Sequence, residues 1–551
     1  PNAPIDADTG LPVPTIAVGT QGGTSVITDS GNVYDISGFS PTTSIEFYGS
    51  KLAFSTEVSS TTYITVGPSS LSSDIAVQNW RDYKGEYNSN GTQGIEVLTD
   101  MADHLAYGNA IYSAGVNGLT AIDHNESDST LSMGAIIGSD YNTGWMVGDT
   151  KLATLSDTDT TNAVGAELVT NGTFASDTGW TKGTGWTISG GGAVASSVAS
   201  GVKITSTAFT VTAGYYTMAL DVTTSASTYF FGVQGATSEH TGVKSTQGTV
   251  SITRYLNAGS HTAFIGAWSS GLSGTFDNFS VRKAERDRSY NGNGLQVFGT
   301  VTKTAVATGA DLVSYSGFAD NNTNGLVQPY NEDVVFGTGD FTVMGWLKKT
   351  ATGTNDYAIS WTASSASVSG NPRWGIRAND NTQTIAWNVN GSIVVDTGIE
   401  TSGSWQQVCF VRESGVVSGY VNGRLENSAT NSTNFTSSGS NSLLRIGNWT
   451  TGSYAFDGEL ALWRISKTAA TVEQIAKMYN DEKHLFTTNA KATLYGTSDA
   501  VTALAYDDDT ELLHVGTSAG RSVFQGLNRV DNTTDAVGAA ISASNGLVAE
   551  D

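Results

Sequence analysis

One cysteine in 551 residues, Cys409, rules out an internal disulfide framework, so packing or assembly must hold the chain together. It lies in "WQQVCFVRE", an apolar strand pattern with no second Cys or His nearby, and reads as a small core side chain. Proline is scarce at 8, and four of those fall in "PNAPIDADTGLPVP", an expected N-terminal arm or linker over residues 1–14. Charge is thin as well, at 14% against the ~25% usual for globular chains. Cations are the scarcer sign: 27 Lys and Arg stand against 51 Asp and Glu, a net charge of −24. That balance argues against nucleic-acid binding, which needs clustered basic side chains to neutralise phosphates. No run approaches the ~18 apolar residues of a membrane-spanning helix. The six His are scattered with no pair at metal-ligand spacing, so zinc is not expected. The chain starts at Pro1 without a signal peptide, and the expectation is a processed chain or a piece of a longer one.

What is abundant is glycine, at 64, together with β-branched and aromatic residues that include 12 Trp. This composition predicts a nearly all-β chain with ample core material. Short strand–turn–strand units recur at Thr15–Ile36 ("TIAVGTQGGTSVITDSGNVYDI"), His104–Asp123 and Ala503–Val523, with unlike stretches between them. The pattern predicts a discontinuous β-propeller of about six blades, built from residues 15–160, 286–316 and 485–551. Two β-sandwich insertions interrupt it, at 166–284 and at 317–483. A helix should close the second, with Thr471 as N-cap and Ile475, Met478 and Tyr479 on one face.

The first insertion carries "LVTNGTF" at Leu168–Phe174, a "GW…GW" pair and "FDNFSV" at Phe276–Val281. In these it resembles the carbohydrate-binding jelly-roll modules attached to glycanases and phage tail proteins. The resemblance implies a sandwich with a sugar-binding face and a structural calcium near the ends of the motif, for which Asp277 is the matching acidic residue. The second carries "FTVMGWLK" at Phe341–Lys348, "GSWQQVCFVR" at Gly403–Arg412, "GYVNGRL" at Gly419–Leu425 and "FDGELALWRISKTAATVEQI" at Phe456–Ile475. It resembles the laminin G/concanavalin-like lectin sandwich. Where that family has an acidic residue after the "FDG" strand this chain has "ELALW", which counts against a pentraxin-like calcium site. The combined architecture in an acidic chain resembles tail proteins of marine bacteriophages.

Motifs for chemistry are weak. "GTSAG" at Gly516–Gly520 fits the nucleophile elbow, but strands flank Ser518 on both sides, so it reads as a hairpin turn, and His514 is not placed as its base. "YDDDTE" at Tyr506–Glu511 could hold a hard cation, yet lacks the Gly and distal Glu of a calcium loop. A glycosidase would need paired carboxylates, and only Glu426 in a predicted turn offers itself. Aromatics make the positive case, because sugar rings stack on them. The glycan-binding candidates are Trp180, Trp186, Tyr229 and Trp268 in the first insertion and Trp361, Trp374, Trp387 and Trp449 in the second, with Trp180 and Trp449 preferred. Trp346, Trp405 and Trp463 read as core.

The expectation is a non-catalytic phage virion tail protein, extracellular and homo-oligomeric. Its partners would be host surface polysaccharide or lipopolysaccharide and other virion tail proteins. The alternatives are a tail-tube or nozzle component with decorative insertions, and a glycan-degrading enzyme with accessory modules.

Overall fold

Strand partners, more than local strand pattern, decide which module each segment joins. The computed structural model describes residues 4–37, 42–48, 51–58, 61–68, 75–76, 81–85, 101–107, 110–125, 129–225, 227–320, 323–349, 356–362, 372–378, 384–436, 442–449, 454–538 and 540–551. Residues 86–100 of the first expected propeller segment therefore lie outside the described residues.

The two ends of the chain form meanders, with one parallel addition where Ile75–Ala76 joins Val33–Ser37. Four separate sheets of four or five strands are built from Ile16–Thr20 onward, from Thr42–Tyr48 onward, over Met101–Val147, and over Val501–Asn532. A two-stranded hairpin, Ile541–Ser544 with Leu547–Glu550, follows the last of them. Sequential antiparallel pairing comes from tight turns such as Val116–Asn117 and Ser518–Ala519, which reverse the chain between strands in register. The last two of these sheets meet: the strand Val501–Asp507 packs beside Met101–Tyr107 and Ala110–Gly115, and Tyr112 stacks on Tyr506 with ring centroids 6.2 Å apart.

The first insertion is a sandwich of two sheets. Trp186–Ser189, Gly192–Val198, Leu272–Glu285, Gly214–Ser225 and Gly248–Leu256 make one sheet. Trp180–Lys182, Lys203–Ser206, Gly259–Ala267, Tyr229–Gly235 and Glu239–His240 make the other. Alternate residues of both sheets fill its core, among them Met218, Leu220, Phe231, Val233, Ile265 and Phe276.

The second sandwich reaches further back along the chain than the sequence pattern suggests. Its inner sheet contains Thr150–Thr154, Gly458–Ser466, Phe341–Lys349, Gln406–Glu413, Val416–Val421 and Arg424–Thr430. Its outer sheet contains Gly325–Gln328, Leu443–Ile446, Asp356–Thr362, Arg373–Ala378, Thr384–Val389 and Ser392–Glu400. Leu295–Ala305 pairs with the outer sheet through its first residues and with Val313–Ser316 through its last, while Tyr315 pairs with Leu460 of the inner sheet.

Two expectations change. Residues 286–316 are sandwich strands and not a return to a propeller, and Thr150–Thr154 and Ala163–Gly165 belong with them. The cause is long-range: a Val- and Thr-rich strand has the same local pattern in either fold, and only its partner settles the matter. The first module is thus nested inside the second. Its entry strand Ala163–Gly165 zips antiparallel onto the exit strand Leu295–Ala305, with Ala163 opposite Val301 and Gly165 opposite Gly299. Gly165 has to be glycine, because a Cβ there would collide with the Val297 carbonyl.

Apart from its largely exposed end strand Arg424–Thr430, the inner sheet is buried on both faces. Its sandwich face packs Val343, Phe410 and Trp463 into one core. Its other face packs Met344, Trp346, Cys409, Val411 and Ala461 against residues of the meanders, such as Ala135, Val515 and Phe524. The predicted helix lies in this second core as Val472–Glu482, with Ile475 and Met478 buried. Thr471 caps it as expected and exchanges bonds with Gln474 in a full capping box. At the helix end, Glu482 is wholly buried and pairs with Arg464. It also accepts hydrogen bonds from the Trp145 amide at 2.9 Å and from Trp346 Nε1 at 2.8 Å.

Candidate functional site

The outer sheet of the second sandwich has two contrasting faces. Pleating places Leu444, Trp361, Trp374 and Val389 in one cross-strand row, turned into the core. The neighbouring row, Arg445, Ser360, Gly375 and Asn388, therefore faces away from it. Tyr357 and Arg377 lie opposite each other in the next outward row, and Thr362 opposite Arg373 in another. Three arginines thus share one sheet face in a chain that has 27 Lys and Arg in all.

Aromatic rings complete this face. Trp449 packs on Tyr357 with centroids 4.2 Å apart. The Arg373 guanidinium lies 5.7 Å from the Trp449 ring, and that of Arg377 6.0 Å from Tyr357. Gly375 makes the packing feasible, since a Cβ there would press into both rings. Arg373 and Arg377 have no carboxylate partner among the described residues. Their Nε atoms and Asn388 Nδ2 are buried donors without an acceptor among the described residues. Each such donor costs about 1–3 kcal/mol. Burial pulls the Arg445 guanidinium down to about 10. A face of unsatisfied donors with excess positive charge is chemically suited to a ligand rich in acceptors and bearing negative charge. Arginine's planar fork matches carboxylate and phosphate oxygens in particular.

Most of the tryptophans expected to bind sugar are core residues. Trp361, Trp374 and Trp387 are fully buried, and Trp374 stacks on Trp387 at 5.0 Å. Trp180 is 8% exposed: it packs between Phe174 and Phe279, and its Nε1 donates to the Asn171 carbonyl at 3.0 Å. Trp186 and Tyr229 both pack on Phe276, and the Tyr229 hydroxyl donates to the Thr246 carbonyl at 2.7 Å. Trp449 is 7% exposed and serves as part of the arginine face rather than as a free platform. The error has a simple origin. Polar neighbours in sequence mark a turn, but an indole is large enough to reach back from a turn into the core. Trp346 and Trp463 are buried as expected, and the half-buried Trp405 donates from Nε1 to the Val306 carbonyl at 2.9 Å.

Trp268 is the exception, at 46% exposed. It stands at the end of the strand Gly259–Ala267, edge-on to Phe230 at 5.5 Å and near His240 at 6.4 Å. Phe264 and Lys203 extend the patch on the same outer face, with the Lys203 ammonium 3.9 Å from the Phe264 ring and bonded to Gln234 Oε1 at 2.9 Å. Partial burial on these rings lowers the Lys203 pKa. This is a second aromatic surface, with the single cation Lys203 against the three of the arginine face.

The remaining motifs are accounted for by local structure. Asp277 faces Asp221, and burial raises its pKa; these two do not form a group of three or more metal-ligating side chains. Asp507, Asp508 and Asp509 do bring their carboxylates within 4.8 Å of one another. However, Asp507 accepts the Gly546 amide at 2.6 Å and Asp509 that of Asn545 at 3.2 Å, so they pin the last hairpin. Ser518 sits in the two-residue turn between Leu512–Thr517 and Gly520–Gln525, without the helix that a nucleophile elbow requires. Glu426 lies on the strand Arg424–Thr430, not in a turn, and pairs with Arg424 at 3.2 Å. Around the "FDG" turn, Glu459 is held by Lys348 at 2.8 Å and by Ser314 at 2.6 Å, while Lys349 holds Asp356. Cys409 is buried and its thiol pKa raised, as befits an inert core residue.

Residues 320–476 match the family described as the concanavalin A-like lectin/glucanases superfamily. The second sandwich is lectin-like. Solved structures similar to parts of the chain include domain 4 of an extracellular arabinanase from Geobacillus stearothermophilus in complex with arabinotriose (18% identity, 34% of this chain and 90% of that one, TM-score 0.28). A heptameric SAP-like pentraxin from Limulus polyphemus is similar at 19% identity over 27% of this chain and 72% of that one, with TM-score 0.22. The CBM40 of a Ruminococcus gnavus sialidase, bound to α2,6 sialyllactose, is similar at 12% identity over 26% of this chain and 83% of that one, with TM-score 0.23. No curated protein matches the chain.

The arginines, and not an exposed tryptophan, define the outward face of the outer sheet. Their signal is present in "RWGIRAND", where Arg373 and Arg377 alternate with Trp374 and Ile376. Two cations on the polar side of a buried strand are unusual in a chain this poor in them.

Proposed function

We propose that this chain is a glycan-binding attachment protein of a bacteriophage tail, and that the arginine face of its lectin-like sandwich binds acidic saccharide. The observation that carries the reading is the juxtaposition of Arg373, Arg377 and Arg445 with the Tyr357–Trp449 pair on one sheet face. Carboxylate- or phosphate-bearing sugars, as in surface polysaccharide and lipopolysaccharide, offer both the charge and the acceptors that Arg373 and Arg377 lack among the described residues. Trp268 and its neighbours supply a secondary stacking surface on the nested module.

The four meanders, of which the one over Met101–Val147 and the one over Val501–Asn532 lie together, serve in this reading as a propeller scaffold. The chain acts outside the cell, as part of a virion, in several copies and beside other tail proteins, and without catalysis. Multiple copies matter, because linking weak sites raises avidity by about 10²–10⁴ without new contacts. A second reading, a nozzle component whose sandwiches decorate a channel wall, draws on the shared core that welds the lectin-like inner sheet to the meanders.

Binding to an array of neutral and acidic bacterial glycans tests the proposal. Acidic glycans should be retained by the parent and lost, by about tenfold or more, in Arg377→Ala. Equal retention of neutral and acidic glycans, or an unaffected Arg377→Ala, would refute it. Release of reducing sugar from bound glycan would favour the enzyme alternative instead.

A further inference from the structure

Between the two sandwiches lies a polar cavity of about 340 Å³, large enough for a small ligand. One wall is the strand Gly248–Leu256 of the nested module with the loop before it, and the other is the connection leading into Leu295–Ala305 together with Gln328. The two walls are held in contact by the Gly294 amide, which donates to Thr253 Oγ1 at 3.1 Å. Gly294 permits that approach, since a Cβ would run into the Thr253 side chain. The connection itself is pinned from below: Asn291 Nδ2 donates to the Thr150 carbonyl at 2.9 Å and Asn293 Nδ2 to that of Lys151 at 3.0 Å. The cavity is therefore built by backbone and side-chain bonds on both sides.

Two features of the lining point to an occupant. Gln328 is 1% exposed; its Nε2 donates to the Asn293 carbonyl at 3.1 Å, but its Oε1 has no donor among the described residues. A buried acceptor of this kind calls for a ligand that carries O–H or N–H groups. The charged lining residues are Lys244 and Arg254, and no Asp or Glu lines the cavity. Glu239 approaches Arg254 to only 3.7 Å, and Lys244 forms no ion pair among the described residues. In a chain of net charge −24, a cavity with cations alone is set up for an anion.

We propose that this cavity is a second saccharide site, which takes a single uronic-acid-type sugar unit. The sugar carboxylate would meet Lys244 and Arg254, and a ring hydroxyl would donate to Gln328 Oε1. Hydroxyls of Thr241 and Ser251 and the amide of Asn291 offer further partners around the ring. With no aromatic residue in the lining, recognition is by hydrogen bonds and charge, in contrast to the stacking surfaces elsewhere. The site shares no lining residue with the arginine face and does not rest on it.

Titration of the whole chain with methyl glucuronide, methyl glucoside and inorganic phosphate, followed by calorimetry and saturation-transfer NMR, tests this. The glucuronide should bind, the glucoside more weakly, and phosphate without sugar-proton contacts or competition for the full signal. Lys244→Ala should weaken the glucuronide about tenfold, and Ser251→Trp, which fills the cavity, should abolish it. Gln328→Leu should erase the preference for a hydroxylated anion over phosphate, with its melting temperature checked against the parent. Arg377→Ala should leave this titration unchanged, which separates it from the arginine face. Binding equal in parent and Lys244→Ala, binding abolished by Arg377→Ala, or phosphate bound as well as the glucuronide would each overturn the proposal.

Discussion

The two sandwiches solve the same packing problem under opposite constraints. The lectin-like one has its inner sheet covered on both sides, by its own partner sheet and by the meanders. The nested one keeps an outer face on which Phe230, His240 and Trp268 remain partly or fully exposed. In the first case a sheet strand reads as a nearly continuous buried run, as in Gln406–Arg412; in the second, buried and half-buried residues alternate, as in Lys203–Ser206. Burial of both faces turns most of a binding-fold sheet into a structural wall, apart from its exposed end strand Arg424–Thr430.

The largest effect that would sharpen this contrast is expected at Glu482. Glu482→Ala leaves Arg464 buried without its carboxylate and strands the Trp145 and Trp346 donors, at a cost of about 3–5 kcal/mol. Hydrogen exchange should show the loss across the meanders and the inner sheet while residues 166–284 keep their protection. Uniform loss over both sandwiches would break the distinction between welded and nested modules.

A smaller effect should follow pH. Asp287 is buried at the junction, where desolvation pushes its carboxyl up to about 6, opposed by bonds from the Ala153, Ser289 and Asn293 amides. The folded chain therefore holds this proton more tightly than the unfolded one, whose value is 3.8. Its contribution is complete below about pH 4 and fades as pH rises through about 6, by an amount on the order of 3 kcal/mol at most. Urea midpoints for the parent and Asp287→Asn should converge or diverge across that window, and parallel curves would show that Asp287 does not titrate there.

The smallest effect on stability is expected at Trp268. Trp268→Ala should change it by about 0.5 kcal/mol or less, because nearly half of the side chain is already in solvent and it fills no core. A clear drop in melting temperature would show that the exposed face is part of the fold's support after all.

Sequence reasoning was strongest where the code is local. The Thr471 cap, the helical face of Ile475 and Met478, the Ser518 hairpin and the core placement of Cys409 all depend on neighbours a few residues away. The lectin-like stretch was legible too, because its strands follow one another in order. What could not be read was partnership across hundreds of residues. Thr150–Thr154 finds Gly458–Ser466, a pairing that no window around residue 150 contains. The binding surface failed for a related reason: whether an indole faces solvent depends on the sheet across from it, as Trp387 shows.

The zipped entry and exit of the nested module have a mechanical consequence. Ala163–Gly165 and its partners around Gly299–Val301 run antiparallel and leave the host sandwich at the same end. A pull on the nested module therefore loads this seam in peeling geometry, one residue pair at a time, instead of shearing all pairs at once. The seam acts as a fuse: under tension the smaller module separates from its host before the doubly covered inner sheet feels the load. A bound target held through the nested module would be held softly, and one held through the lectin-like sheet would be held stiffly.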